Sequence, residues 1–345
     1  MRKIYLLIVL PILFSIACKK SSSNGDAKTG NSITIDTPGN EPGFIYVDAM
    51  YSGIKAPGSI ELPAGHHVIG VALQHSFVYL RKEIDVAGTA RIDLSLADKP
   101  AEKTWKALWI GLSETKGISA SGECSTHFSA SDLDAGYDFF QWSLQQHVEK
   151  YSYGTMKWET ERKDLTIPVS LTKTNNAWFT MEPATIMALL PQIRPGVYDC
   201  VFVFWREREG ACSFQSNYFG LAWTNPMAEN IKTGYVTIKF DAGTSITDKI
   251  NYYKTNDPGV YVHEWLHTVG ENFYQNKGLS LPQKAGGFTV HAAETYQYTF
   301  PWMSWYLDFM SGRVPNPSGV PQYLGIGPEA FLKCTVRETA VDACR

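Results

Sequence analysis

Two histidines stand four residues apart in Tyr261-Val262-His263-Glu264-Trp265-Leu266-His267-Thr268-Val269-Gly270, and a glutamate directly follows the first. On a helix, positions i and i+4 share a face, so both imidazoles can reach one Zn2+ at about 2.0–2.1 Å. Glu264 projects beside such an ion, too far round to be a good ligand. A water held on the ion becomes acidic near neutrality. The carboxylate can take its proton as the oxygen attacks a carbonyl, then hand it to the leaving amine. The chemistry is hydrolysis of a peptide or related amide. In a chain of 345 residues this five-residue pattern arises by accident on the order of 1% of the time.

The flanks place the pattern on a helix. Asp257 is a good N-cap, Pro258 suits the first helical position, and Gly270 stands where a left-handed residue would stop the helix. These signals predict a helix over 258–269, with Val262, Leu266 and Val269 as its apolar stripe.

Catalytic zinc wants three protein ligands and an open position. The stretch 288–298 offers His291 and Glu294, three apart and so on one helical face. Either could complete the ligand set while the other orients a ligand or meets the substrate. Glu271 and Asp308 remain open as alternatives. Tyr296 and Tyr298 follow, and a hydroxyl from either could stabilise an oxyanion. A further helix is predicted over 301–312. Trp302, Trp305, Tyr306, Phe309 and Met310 form its core-facing stripe, and Asp308 lies off it, where it could hydrogen-bond a ligand histidine.

These residues resemble the zincin metallopeptidases. The resemblance implies that His263 and His267 bind zinc and that Glu264 is the general base. The metzincin branch continues to a third histidine, but that position here is Phe273, although Gly270 fits. The gluzincin branch takes a glutamate from a second helix, and Glu294, 27 residues after His267, has an acceptable spacing. That branch's usual aspartate four residues on would be Tyr298. The stretch Gly-Tyr-Val-Thr-Ile-Lys-Phe at 234–240 falls where zincins place a substrate-binding edge strand, and its alternation predicts a half-buried strand.

The beginning of the chain points to export. Arg2 and Lys3 precede an apolar run of 14 residues, Ile4 to Ala17, too short to span a bilayer and suited to a signal peptide. Ser15-Ile16-Ala17-Cys18 resembles the lipobox of bacterial lipoproteins. This implies a signal peptide over 1–17, lipidation of Cys18 and a lipid bilayer as partner. Lys19, where an aspartate would signal retention, resembles an outer-membrane destination, on the periplasmic face or the cell surface. Residues 18–42 are rich in Ser, Gly and Asn and read as a flexible tether.

Beyond it, short strands at about ten-residue spacing predict a small all-β sandwich over 43–98. Its Glu-Leu-Pro-Ala-Gly-His-His turn, residues 61–67, resembles the PEGA domain, which implies an accessory or spacer module. His66 and His67 read as turn and surface residues. Residues 103–345 read as one larger α+β domain. The fold class is thus α+β: a β module followed by a zincin-like body with a mixed sheet and the motif helix.

Of five cysteines after Cys18, Cys200 and Cys212 flank an apparent hairpin and are expected to pair. Cys334 and Cys344 could close the C-terminal tail, leaving Cys124 over. The net charge is −3, becoming −5 once Arg2 and Lys3 are removed, and no basic block follows the tether, which excludes nucleic acid as a partner. The expected function is zinc-dependent hydrolysis of a protein or peptide, glycoproteins included, at a bacterial envelope. The alternative is a non-catalytic surface lipoprotein that binds glycan or protein through aromatic surfaces, for which 10 tryptophans give material. A third option is an amide of the cell wall as substrate.

Overall fold

The computed structural model describes residues 30–174, 178–223, 231–241 and 245–344. The expected signal peptide, Cys18 and the first part of the expected tether lie outside these residues. The chain mixes α-helices with several β-sheets.

The first unit is built from seven strands: β1 (Asn31–Asp36), β2 (Gly43–Val47), β3 (Met50–Ala56), β4 (Gly58–Leu62), β5 (Gly65–Leu73), β6 (Tyr79–Val86) and β7 (Ala90–Asp93). One sheet runs β4-β1-β7 and the other β3-β2-β5-β6. They enclose one apolar core, with Ile33, Ile35, Ile60 and Leu62 from the first sheet and Ile45, Ile69, Val71 and Leu80 from the second. β1 corrects the expected tether. Asn31–Asp36 alternates, and its Ile33 and Ile35 are fully buried. The polar residues before it mask a five-residue alternation whose partners, β4 and β7, come later in the chain.

The second unit is organised by β8 (Lys103–Leu112), β9 (Met156–Leu165), β10 (Cys200–Glu209), β11 (Gly220–Trp223) and β12 (Gly234–Asp241), in the order β9-β8-β10-β12-β11. The first four are parallel and β11 is antiparallel to β12. Parallel strands covered on both faces read as continuous apolar runs. Along β10, Cys200, Phe202 and Phe204 face one core, while Val201, Val203 and Trp205 face another. The first core is covered by α1 (Ala130–Ser143), α2 (Ile246–Asn256), α3 (Val260–Gly270) and α4 (Met303–Ser311).

Two expectations change here. Residues 234–240 are not half-buried and not the edge. β12 lies between β10 and β11, and even Thr237 and Lys239 are buried. Lys239 is accommodated by an ion pair with Glu207, a 3.0 Å hydrogen bond to the Ser216 carbonyl and the Tyr218 ring. The edge strand is β11.

The expected Cys200–Cys212 disulfide does not form. Residues 200–209 are one continuous strand, and Cys212 pairs back beside Glu209 at its far end. At about 3.3 Å per residue, the two cysteines are on the order of 30 Å apart, far beyond the Cα limit of about 7 Å for a disulfide. Cys212 instead bonds Cys124, with Cα atoms 5.8 Å apart, and Cys200 is a buried free thiol. Cys334 and Cys344 do pair.

The β module is docked against the second unit. Tyr46 donates a 2.7 Å hydrogen bond to the Ser311 carbonyl at the end of α4, and the Tyr79 amide donates to the Tyr153 carbonyl at 2.9 Å. The Arg313 guanidinium lies 3.6 Å from the Phe44 ring centroid, and Arg81 pairs with Glu329 at 2.7 Å. Buried tyrosines fill the junction. The module therefore packs against the C-terminal end of the helix that carries Tyr306.

Candidate metal centre

α3 is almost wholly buried. Tyr261, Val262, Trp265, Leu266 and Val269 lie in the core, with Trp265 edge-on to Trp105 and Trp158. The helix starts later than expected. Gly259 is its N-cap, while Asp257 is the C-cap of α2, its amide donating to the Tyr253 carbonyl. Gly270 is an ordinary helical residue, where a Cβ would crowd the Phe309 ring at 3.1 Å.

Burial on all other sides leaves His263, Glu264 and His267 facing one cleft of about 640 Å³. His291 joins them from a 3-10 turn, Thr289–Tyr296. The three Nε2 atoms form a nearly equilateral triangle: His263–His267 3.3 Å, His267–His291 3.2 Å and His263–His291 3.2 Å. Bonds of about 2.0–2.1 Å in a tetrahedron separate donor atoms by about 3.3–3.4 Å, so this spacing fits a tetrahedral ion. The three side chains are the described residues that bring such a group of ligand atoms together in this cleft.

The other ring nitrogens are held. His267 Nδ1 meets Glu271 at 3.2 Å, and His263 Nδ1 meets the Tyr306 hydroxyl at 2.9 Å. A carboxylate accepts, so His267 Nδ1 carries the proton and its Nε2 presents a lone pair to the cleft. Glu271 also accepts from the amides of Thr289 at 2.9 Å and Val290 at 3.1 Å, and Trp305 donates to the Val290 carbonyl at 3.0 Å. One carboxylate thus orients a helix histidine and fixes the turn that delivers His291. Burial would raise the Glu271 carboxyl, but the bonds from His267, Val290 and Thr289 outweigh it and hold it low. Burial, then the neighbouring histidines, depresses His263 well below its usual range. His291 is lowered by burial, His267 and Lys284. Neutral imidazole is the ligand form.

Burial pushes Glu264 up to about 8. A cation at the three nitrogens would draw it down again. The edge strand reaches this carboxylate through Gly220. A Cβ there would meet Glu264 Cγ at 2.4 Å, Oε1 at 2.5 Å and Cδ at 2.6 Å. Leu221 and Ala222 continue along the cleft wall, with Trp178, Tyr218, Phe288 and Trp302.

The remaining expected site residues are elsewhere. Glu294 is exposed and outside the group. In a 3-10 turn, at about 2.0 Å per residue, it lies about 6 Å further along the axis than His291. Tyr296 stacks on Trp305 and accepts from the Gln283 amide, and Tyr298 donates to Asp308 at 2.8 Å. Neither lines the cleft. Asp308 binds Arg313 and Tyr298 and, among the described residues, no histidine. The tyrosine that reaches a site histidine is Tyr306, which its stripe position marks as core. Glu271 carried a usable signal: it is four residues after His267 and so on the same face. No protein-family model matches the chain, and no curated protein matches it significantly.

Proposed function

We propose that this chain is a zinc-dependent endopeptidase of a bacterial envelope, lipid-anchored through Cys18, with a PEGA-like module bracing a zincin-like catalytic body. The observation that carries this reading is the convergence of His263, His267 and His291 Nε2 atoms beside Glu264 in one cleft. Three imidazole nitrogens at tetrahedral spacing suit Zn2+ and leave one position open. When bound, the zinc would polarise a carbonyl and make water a nucleophile near neutrality.

The chain's own groups supply the rest. Glu264, largely buried but open to the cleft, takes a proton from the attacking water on a carboxylate oxygen and delivers it to the leaving nitrogen. Tyr306 and Glu271 hold His263 and His267 in the ligating orientation. The outer side of β11 pairs with no strand among the described residues, so an extended peptide can add to it across the mouth of the cleft. The ligand set departs from both zincin branches. The third histidine comes 24 residues after His267, a gluzincin-like gap with a metzincin-like donor.

The test is zinc per chain by elemental mass spectrometry after reloading. Near one zinc is expected in the wild type, in Glu264→Gln and in Glu294→Ala, with loss in His267→Ala and His291→Ala. Glu264→Gln should hydrolyse no protein that the wild type cleaves. A wild type without zinc would sink the reading and leave the aromatic cleft as a binding surface.

A further inference from the structure

One end of the cleft contains a carboxylate that the hydrolytic chemistry does not use. Asp257 lines the cleft together with Trp302 and Tyr306. Gly259, two residues on, packs on the Tyr306 ring, where a Cβ would meet Cε2 at 2.6 Å. This close approach puts Asp257 at the His263 end of the site, because the same tyrosine reaches His263 Nδ1. No ion pair or side-chain hydrogen bond engages Asp257 among the described residues. The lysines of the preceding helix lie over other rings, Lys249 over Tyr252 and Tyr253 and Lys254 over Trp142. No lysine or arginine lines the cleft among the described residues.

A partly buried carboxylate without a counter-charge, next to aromatic rings, is the arrangement that binds an organic cation. The carboxylate supplies the charge, and the ring faces attract an ammonium or guanidinium. An anionic group at this end of the cleft would meet the Asp257 charge, with no lysine or arginine of the lining to offset it. We propose that Asp257, with the Trp302 ring that lines the same end of the cleft, binds a cationic group of a peptide substrate and so selects for a positive charge near the scissile bond. The shared chemistry is an alkylammonium or guanidinium. Its source is either a lysine or arginine side chain or a free amino terminus. The substrate class rests on the peptidase reading, but the recognition itself needs no hydrolysis.

Three small probes separate these sources: N-acetylarginine amide, citrulline amide with its free ammonium, and the neutral N-acetylcitrulline amide. Each is titrated into the full chain, with and without zinc, and binding is read by calorimetry and by tryptophan fluorescence. At least one charged probe should bind ten-fold or more tightly than the neutral one, and which one does so names the source. In Asp257→Asn, checked for folding by its melting curve, this advantage should fall below two-fold. Equal binding of all three probes would overturn the proposal. So would no binding up to the solubility limit, or an advantage retained in Asp257→Asn. A protein that discriminates the probes but cleaves no peptide would keep this inference and sink the peptidase reading.

Discussion

Gly220→Ala should disable the site without unfolding the protein. The added methyl would lie 2.4–2.6 Å from three side-chain atoms of Glu264, where contacts are ordinarily about 3.4 Å or longer, so about 1 Å of movement is forced. The side chain of Glu264 is the flexible partner and will move first, away from the position in which it serves the reacting water. A misplacement of about 1 Å costs on the order of 10²-fold in rate. Stability should change little. Crowding typically costs about 1–3 kcal/mol, but replacing a strand glycine returns roughly 0.5–1 kcal/mol of backbone entropy. The assay is kcat/KM on a protein substrate of the wild type, measured beside zinc content and Tm. The expected result is a loss of about 100-fold with zinc retained and Tm within about 5 °C. Activity within three-fold of the wild type would refute this reasoning, because the methyl would then be fitted by a shift of the short edge strand with Glu264 left in place. Loss of zinc would instead place the disturbance at the histidines.

Other outcomes follow from the same contacts. Glu271→Ala removes the partner of His267 and the acceptor for the Thr289 and Val290 amides. Zinc affinity should fall by about 10–100-fold in a competition titration, and unchanged affinity would show that the turn holds His291 by itself. Asp199, fully buried, binds the guanidinium and amide of Arg337 and the amide of Lys106. Asp199→Ala should cost about 3–5 kcal/mol in denaturant unfolding, and a loss under about 1 kcal/mol would contradict this pinning of the C-terminal segment. His147 is buried between Trp142 and Tyr151, and burial followed by Lys150 lowers its pKa to about 4. Above neutrality it is uncharged in both states. As pH falls below about 6.5, the unfolded chain takes a proton that the native chain refuses, so stability drops until about pH 4. At pH 5 this cost is about 2 kcal/mol. His147→Phe should therefore gain about that much on the wild type between pH 7 and pH 5. A gap that does not change with pH would mean that His147 is hydrated.

The residues that the sequence determined are those governed by local period. His263, Glu264 and His267 share a helical face because 3.6 residues per turn puts them there, whatever surrounds the helix. The β strands after residue 43 and the stripe on α4 follow from the same local rules. Tertiary structure decided what depends on residues far apart in the chain. Of His291 and Glu294, the 3-10 form of one turn, set by Glu271 and Trp305, brings only the histidine to the site. β11 is the edge strand because of the order in which strands join the sheet, which the alternation of residues 234–240 does not encode. Cys212 bonds Cys124, across a sequence separation of 88, because β10 is one long strand that carries Cys200 away to its other end. Tyr306 has a core position in its own helix and becomes a partner of His263 only when α3 and α4 meet at Gly259, a contact that neither helix specifies alone.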